Sequence, residues 1–261
     1  MGSGGGEPII RVEQMTARYG ERTVFDGVSF DVDRGEVFAI LGGSGCGKST
    51  LLKHMIGLYH PAAGRIWIEG EDITAAEGAA RLRILRRIGV MYQSGALFGS
   101  MTLLENVRLP LEEFTALPAE AMDRIAASKL RLVQLEGFEE FLPAEISGGM
   151  KKRAAIARAM VLDPEILFLD EPSAGLDPVT SAELDETILR LSQTLGVTFV
   201  VVTHELPSIF AIAHRAIMLD AGAQGIIAEG APQDLRDHSP DARVRRFFRR
   251  EAEPGPLDAR A

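Results

Sequence analysis

The sequence predicts an α/β fold: a mostly parallel sheet with helices on its faces, an N-terminal antiparallel β segment before it, and an α-helical segment inserted into it. Three observations predict this. Val37–Leu41 and Ile166–Leu169 are short, continuously apolar runs of the kind that form buried parallel strands. Strand-like and helix-like stretches alternate along the second half of the chain, the pattern of crossover units on a parallel sheet. Residues 94 to about 160 interrupt that alternation with helical spacing and few strand-like runs.

Taken in order, Ile9–Thr16 and Val24–Val32 read as strands, punctuated by Gly20 and Gly27. Val37–Leu41 leads into a glycine-rich turn, Gly42–Gly47, and then a helix over Lys48–Gly57. Gly64–Gly70 alternates like an exposed strand and ends in a turn, and Ile88–Tyr92 is a further short strand. In the helical segment, Met122–Leu135 is amphipathic and Lys151–Leu162 is rich in Ala and Arg, with Pro143 and Gly148-Gly149 between them. The α/β pattern resumes at Ile166–Leu169. It continues as a helix over Pro178–Leu195, a strand over Val197–Thr203 and a helix over Leu206–Ala213, and closes with strands at Ile217–Leu219 and Gly225–Glu229. No internal repeat is visible.

Composition narrows the function classes. A chain of 261 residues with 46% apolar and 25% charged residues suits one domain with an insertion and rules out disorder over its whole length. The net charge of -9 argues against general nucleic-acid binding, which needs surplus Lys and Arg to neutralise phosphates. The single cysteine, Cys46, allows neither an intrachain disulfide nor a cysteine metal cluster, and fits a reducing compartment. No run approaches the roughly 20 apolar residues of a membrane-spanning helix. The start, MGSGGGEP, lacks the basic and apolar regions of a signal peptide, and Gly2–Gly6 reads as a flexible lead-in.

Three motifs carry chemistry. Gly42-Gly43-Ser44-Gly45-Cys46-Gly47-Lys48-Ser49 is a P-loop between a buried strand and a helix. Its glycines let backbone N–H groups curl around phosphate oxygens, and the helix N-terminus adds positive potential. Lys48 supplies a point charge for the β- and γ-phosphates, and the Ser49 hydroxyl can ligate Mg²⁺. The second motif, Ile166–Glu171, is an apolar strand ending in two carboxylates that point differently. Asp170 then suits a Mg²⁺ site, and Glu171 is free to polarise an attacking water. The third, Ser147-Gly148-Gly149-Met150, is a small-residue turn at a helix start that exposes N–H groups to an anion. His54, His60, His214 and His238 show no metal spacing with one another.

Together these motifs resemble the ATP-binding subunit of ABC transporters, a P-loop NTPase fold with a RecA-like core, over about residues 8 to 235. Their order matches too. The resemblance implies ATP and Mg²⁺ as ligands. It puts Gln93 at the Q-loop, contacting Mg²⁺ or water, His204 at the switch histidine beside the γ-phosphate, and Asp177 in the D-loop Ser173–Asp177. It puts Tyr19 at the aromatic that stacks on adenine, and Gly42–Thr50 around the phosphates. Ser147, Gly148 and Gly149 would face the ATP of a second, head-to-tail copy of the chain. Each single residue also has a structural reading: Gln93 a polar strand end, His204 a hydrogen-bonded histidine, Tyr19 a packing aromatic, Asp177 the N-cap before Pro178. Met150 departs from the commonest signature, which has Gln there, but leaves the Ser-Gly-Gly donors intact. The expected organisation is one ABC ATPase domain over 8–240, with the RecA-like core at about 8–93 and 160–240 and a helical subdomain at about 94–159. A basic and aromatic extension follows at 241–261.

Met91–Phe98, Leu104–Val107, Leu109–Leu111, Gly196–His204 and Val244–Phe248 resemble the ATPases associated with Mla and Mce proteins, which work in phospholipid trafficking. That resemblance implies a homodimer, a multispanning permease, an Mce-domain substrate-binding protein, often a small STAS-domain protein, and a place on the cytoplasmic face of the inner membrane. A transporter ATPase for another solute is the alternative. A soluble ABC protein fits poorly, since such proteins carry paired modules, long coiled coils or zinc hooks. In the extension, five arginines surround Phe247 and Phe248. On a helix they would meet anionic lipid, pack on a neighbouring subunit, or form a solvated terminal helix. Residues after about Glu253 read as disordered.

Overall fold

The computed structural model of the chain describes residues 7–251; the expectations for Gly2–Gly6 and for the end of the chain lie outside the described residues. The first strands, β1 (Ile10–Tyr19) and β2 (Arg22–Val32), form a hairpin through Gly20. After β3 (Val37–Gly42) and α1 (Lys48–Met55), β4 (Ala63–Ile68) returns to pair with β1, and the two-residue β5 (Glu71–Asp72) completes an antiparallel sheet in the order β2-β1-β4-β5. The strand expected to be exposed, β4, is half-buried: Ile66 and Ile68 turn into the core.

α2 (Gly78–Leu85) and β6 (Ile88–Met91) follow, and then the inserted helices α3 (Leu103–Phe114), α4 (Ala119–Leu132) and α5 (Gly148–Ala159). The chain returns with β7 (Ile166–Asp170), α6 (Pro178–Leu195), β8 (Thr198–Val202), α7 (Leu206–Ile212), β9 (Arg215–Asp220) and β10 (Gly225–Gly230). It ends in α8 (Pro232–His238) and α9 (Ala242–Arg249). The second sheet runs β10-β9-β3-β8-β7-β6, and only β10 is antiparallel to its neighbour.

Side-chain alternation on β3 explains the layering. Phe38 and Ile40 face the antiparallel sheet and α1, in a core shared with Met15, Phe25, Leu51 and Phe168. Val37 faces the opposite way, into a core with Leu167, Phe199 and the inserted helices. Ala39 and Leu41 also face away, against α7, α8 and α9. α9 settles which surface the terminal phenylalanines cover. Phe248 is buried, with its ring 5.6 Å from that of Phe210, and Val244 packs beside Leu235 and Met218. The apolar side of α9 is therefore spent on this chain's own core, which corrects both the lipid-facing and the neighbour-facing expectations for Phe248. Two histidines are structural: His54 is buried with Nδ1 at 2.8 Å from the Thr50 carbonyl, and His214 Nδ1 accepts the Val37 N–H at 2.9 Å.

Candidate active site

β3, β8, β7 and β6 are parallel neighbours, so their C-terminal ends open on one edge of the sheet. Ligands of such sheets bind at that edge. The topology delivers four motifs there: the P-loop after β3, His204 after β8, Asp170 and Glu171 at the end of β7, and Gln93 after β6.

The P-loop is shaped by contacts no larger residue could make. Gly47 has φ 105°, and a Cβ there would lie 2.7 Å from Val24 Cγ1 and run into the Phe25 ring. A Cβ on Gly42 would lie 2.5 Å from both Cys46 Sγ and the Leu219 carbonyl oxygen. Helix α1 starts without a side-chain cap or an acidic residue in its first turn, which leaves its N–H groups available to an anion. Lys48 Nζ donates to the carbonyls of Gly42 at 2.9 Å and Gly43 at 3.2 Å, spanning the loop. Cys46 is buried, and burial pushes its thiol up, so it stays protonated and acts as a spacer. An open cleft of about 370 Å³ lies between Gly45, Gly47, Lys48, Ser49 and Thr50 on one side and Tyr19, Arg22 and Val24 on the other. Tyr19 is half exposed, and its hydroxyl lies 3.5 Å from Thr50 Oγ1.

Glu171 has φ 47°, a left-handed backbone unusual for a residue with a side chain. Its N–H donates to the Val202 carbonyl at 2.8 Å and its C=O accepts the Ala174 N–H at 3.2 Å. This turn carries the carboxylate to His204, whose Nδ1 is 2.9 Å from Glu171 Oε1. The other oxygen, Oε2, is buried without a partner. The carboxylate is thus oriented through one oxygen, while the other has no donor to compete for a proton, which suits a general base. Asp170 beside it is pushed up, mainly by burial and then by Glu171, while Lys53, Lys48 and Lys152 pull it down.

Residues 25–174 match the family described as ABC transporter. The chain belongs to the ABC transporter family. The ABC transporter ATPases similar to it include MlaF of Escherichia coli K12, an intermembrane phospholipid transport ATP-binding protein, 40% identical over 92% of this chain and 88% of its own length. The probable ribonucleotide transport ATP-binding protein mkl of Mycobacterium leprae is 44% identical over 76% of this chain and 57% of its own. Among solved structures, the dimeric ATP-binding cassette MJ0796, in a post-hydrolysis state bound to ADP and Pi, is 30% identical with a TM-score of 0.76, covering 85% of this chain and 98% of that one.

The remaining motifs of this ABC ATPase lie at the starts of α5 and α6, outside the lining of the P-loop cleft. Ser147 caps α5, accepting the Met150 N–H at 3.2 Å. Gly149 is buried, and a Cβ there would meet Thr180 at the start of α6. Gly148 is exposed and faces Leu176. Asp177 caps α6 ahead of Pro178, accepting the N–H groups of Val179 at 3.0 Å and Thr180 at 3.1 Å; these bonds and that from the Thr180 hydroxyl hold its carboxyl low. The structure adds three residues that sequence reading missed. Arg22 lines the cleft opposite Lys48, and its only sequence signal is its place in the hairpin three residues past Tyr19. Lys152 and Arg158 lie on α5 and donate to the loop after β6. They read in the sequence as part of an ordinary basic helix. No described helix is long and apolar enough to cross a membrane.

Proposed function

We propose that the chain is the ATP-binding and hydrolysing subunit of an ABC transporter that moves phospholipid across a bacterial envelope. The observation that carries the chemistry is the Glu171–His204 pair, with one carboxylate oxygen held and the other buried without a partner, on the same sheet edge as the P-loop. The substrate class rests on the 40% identity to a phospholipid transport subunit over nearly the whole chain. In this reading the division into a core over about 8–93 and 160–240 and a helical subdomain over about 94–159 lets the two parts rotate relative to each other.

Tyr19 stacks on adenine, and the cleft it shares with Arg22 holds the ribose. The N–H groups of Gly42–Gly47 and of the start of α1 bind the phosphates, with Ser49 and Thr50 at their margin. Lys48 leaves its carbonyl partners for the β- and γ-phosphates. Glu171 takes a proton from the attacking water, and His204 fixes the rotamer of Glu171 and contacts the γ-phosphate. The donor set suits Mg²⁺: Ser49, Asp170 and Gln93 offer hard oxygen ligands with a single carboxylate, which fits an ion completed by phosphates and water. Bound there, Mg²⁺ neutralises charge on the β- and γ-phosphates. No cluster of His, Cys, Asp or Glu among the described residues would hold a metal by itself.

Ser147, Gly148 and Gly149 then serve the nucleotide of a second copy, so that two chains clamp two ATP molecules head to tail, with Asp177 at the contact between them. Closure and reopening drive a multispanning permease on the cytoplasmic face of the inner membrane. The permease would seat at the apolar groove between α2, β6, α3 and α5, where Leu82 and Phe114 are exposed beside Gly89 and Pro110. An Mce-domain protein and a small STAS-domain protein complete the assembly.

A second reading, ribonucleotide transport, is favoured by the mkl relative. The two separate in liposomes containing the chain with its co-purified membrane partner. ATP-dependent transfer of labelled phospholipid, lost in Glu171→Gln, is the expected result. Uptake of labelled ribonucleotide without lipid transfer would move the assignment to the second reading.

A further inference from the structure

Helix α5 carries two cations with different partners, Lys152 buried and Arg158 half-buried. Arg158 donates to the carbonyls of Gly95 at 2.8 Å and Ala96 at 2.7 Å. Lys152, 7% exposed, donates to the Gln93 carbonyl and, at 3.4 Å, to the Glu171 carbonyl. One helix thus holds the loop after β6 at three carbonyls, and through Lys152 alone it also reaches the end of β7. A buried ammonium is a costly way to fill space, and burial does push Lys152 down, opposed by the charges of Asp170 and Glu171. A left-handed Glu171 needs such a restraint, because that backbone is unfavourable for a residue with a side chain. Its carbonyl has two anchors, the Ala174 N–H and Lys152, and only the second belongs to another element.

We propose that Lys152 is a positioning residue for ATP hydrolysis: its ammonium ties helix α5 to the backbone of both Gln93 and Glu171, so that engagement of the helix start sets the pose of the catalytic carboxylate. This rests on the reading of Glu171 as the base. Ser147 caps the same helix five positions earlier. A rigid helix turn and a half long therefore links the residue that meets the second chain's nucleotide to the residue that activates water in this one. The strut works on backbone atoms, so it fixes where Glu171 and Gln93 sit without competing for their side chains.

The test compares the steady-state ATPase of the full chain with Lys152→Met, Lys152→Gln and Lys152→Arg. Lys152→Met keeps the volume and loses the donor, and its kcat should fall about tenfold or more, the effect of small misplacements in an active site. Its KM and its binding of a fluorescent ATP analogue should stay within about twofold, the signature of a loss confined to the chemical step. Lys152→Arg, which keeps the charge and the donors, should recover most of the rate. Lys152→Gln should fall between, and it decides the matter by the same split if Lys152→Met gives no cooperative melting transition. Wild-type kcat in the Met and Gln variants would overturn the proposal, as would equal damage in Met and Arg, or a kcat loss matched by lost analogue binding. Glu171→Gln runs alongside. If it hydrolyses at the wild-type rate, the base assignment falls; if it is inactive while Lys152→Met is normal, only the role of Lys152 falls.

Discussion

At the scale of single residues, the site is made by side chains whose surroundings leave them one thing to do. Glu171 is pinned by backbone bonds on both sides and by His204, with one oxygen buried and unpartnered. Gly47 is boxed in by Val24 and Phe25. Gly47→Ala should therefore lose ATP binding, measured by analogue titration, by about tenfold or more, since both its φ and its space exclude a Cβ. Asp185 gives a separate prediction. It is buried on α6 facing Ser208, in a cleft that Glu186 and Glu205 also line, and burial pushes its carboxyl up to about 6, against the pull of the Ser208 hydrogen bond. The folded chain then keeps a proton that the unfolded chain releases between pH 3.8 and about 6. Stability falls as pH rises through that window and stays lower above it. Asp185→Asn should raise the stability at pH 8 by about 1–3 kcal/mol, with the gain vanishing near pH 4, as thermal melts at both values would register. A gain independent of pH would contradict it. The P-loop, Asp170-Glu171 and His204 were legible in the sequence because their chemistry fixes residue type and spacing. Lys152 and Asp185 were not, since burial and a partner distant in sequence give each its meaning.

At the scale of elements, tertiary contacts override several local preferences. Helix α3 runs through Pro110, which cannot donate a backbone hydrogen bond. It holds because Thr102 and Glu105 form a capping box, Leu103, Val107 and Leu111 are buried, and Asn106 is tied down. The fully buried Asn106 donates to the carbonyls of Phe98, Met101 and Thr102 and accepts the Phe98 N–H at 2.8 Å, fixing the loop into the helix. Asn106→Leu should destabilise the chain by about 2–4 kcal/mol in denaturant unfolding, because the loop's buried polar groups lose their partner. The strand runs and the long helix α6 were readable from apolar pattern and caps. The short helices α2 and α8 were not: α1 and α7, equally short, each follow a buried parallel strand of the alternating pattern, whereas α2 and α8 follow β5 and β10 outside it. α9 was visible as an amphipathic helix, but its partner was not, because Phe210, Met218 and Leu235 come together only in the fold. Phe248→Ala should accordingly lower stability by about 3 kcal/mol with or without membranes. A variant destabilised only when membrane or partner is present would restore a docking role for that ring.

At the scale of the whole molecule, four parallel strands bring the motifs to one edge, while the Ser147–Gly149 turn lies against α6. The reading that reconciles the two is a site completed by a second chain, and that is the central claim. It makes hydrolysis depend on association, and association on the γ-phosphate. The fold class, the motif order and, through the family resemblance, the pairing of a cleft with a second copy's Ser147–Gly149 turn were open to sequence reading; how α5 ties that turn to Gln93 and Glu171 was not, because Lys152 and its backbone partners meet only in the fold. The most direct measurement is the mass of the full-length Glu171→Gln chain by size-exclusion chromatography with light scattering, with Mg²⁺ and either ATP or ADP. The account predicts the mass of two chains in ATP, since the phosphate cradle is intact and hydrolysis is blocked, and the mass of one chain in ADP. A single-chain mass in both nucleotides, with ATP bound, would contradict it.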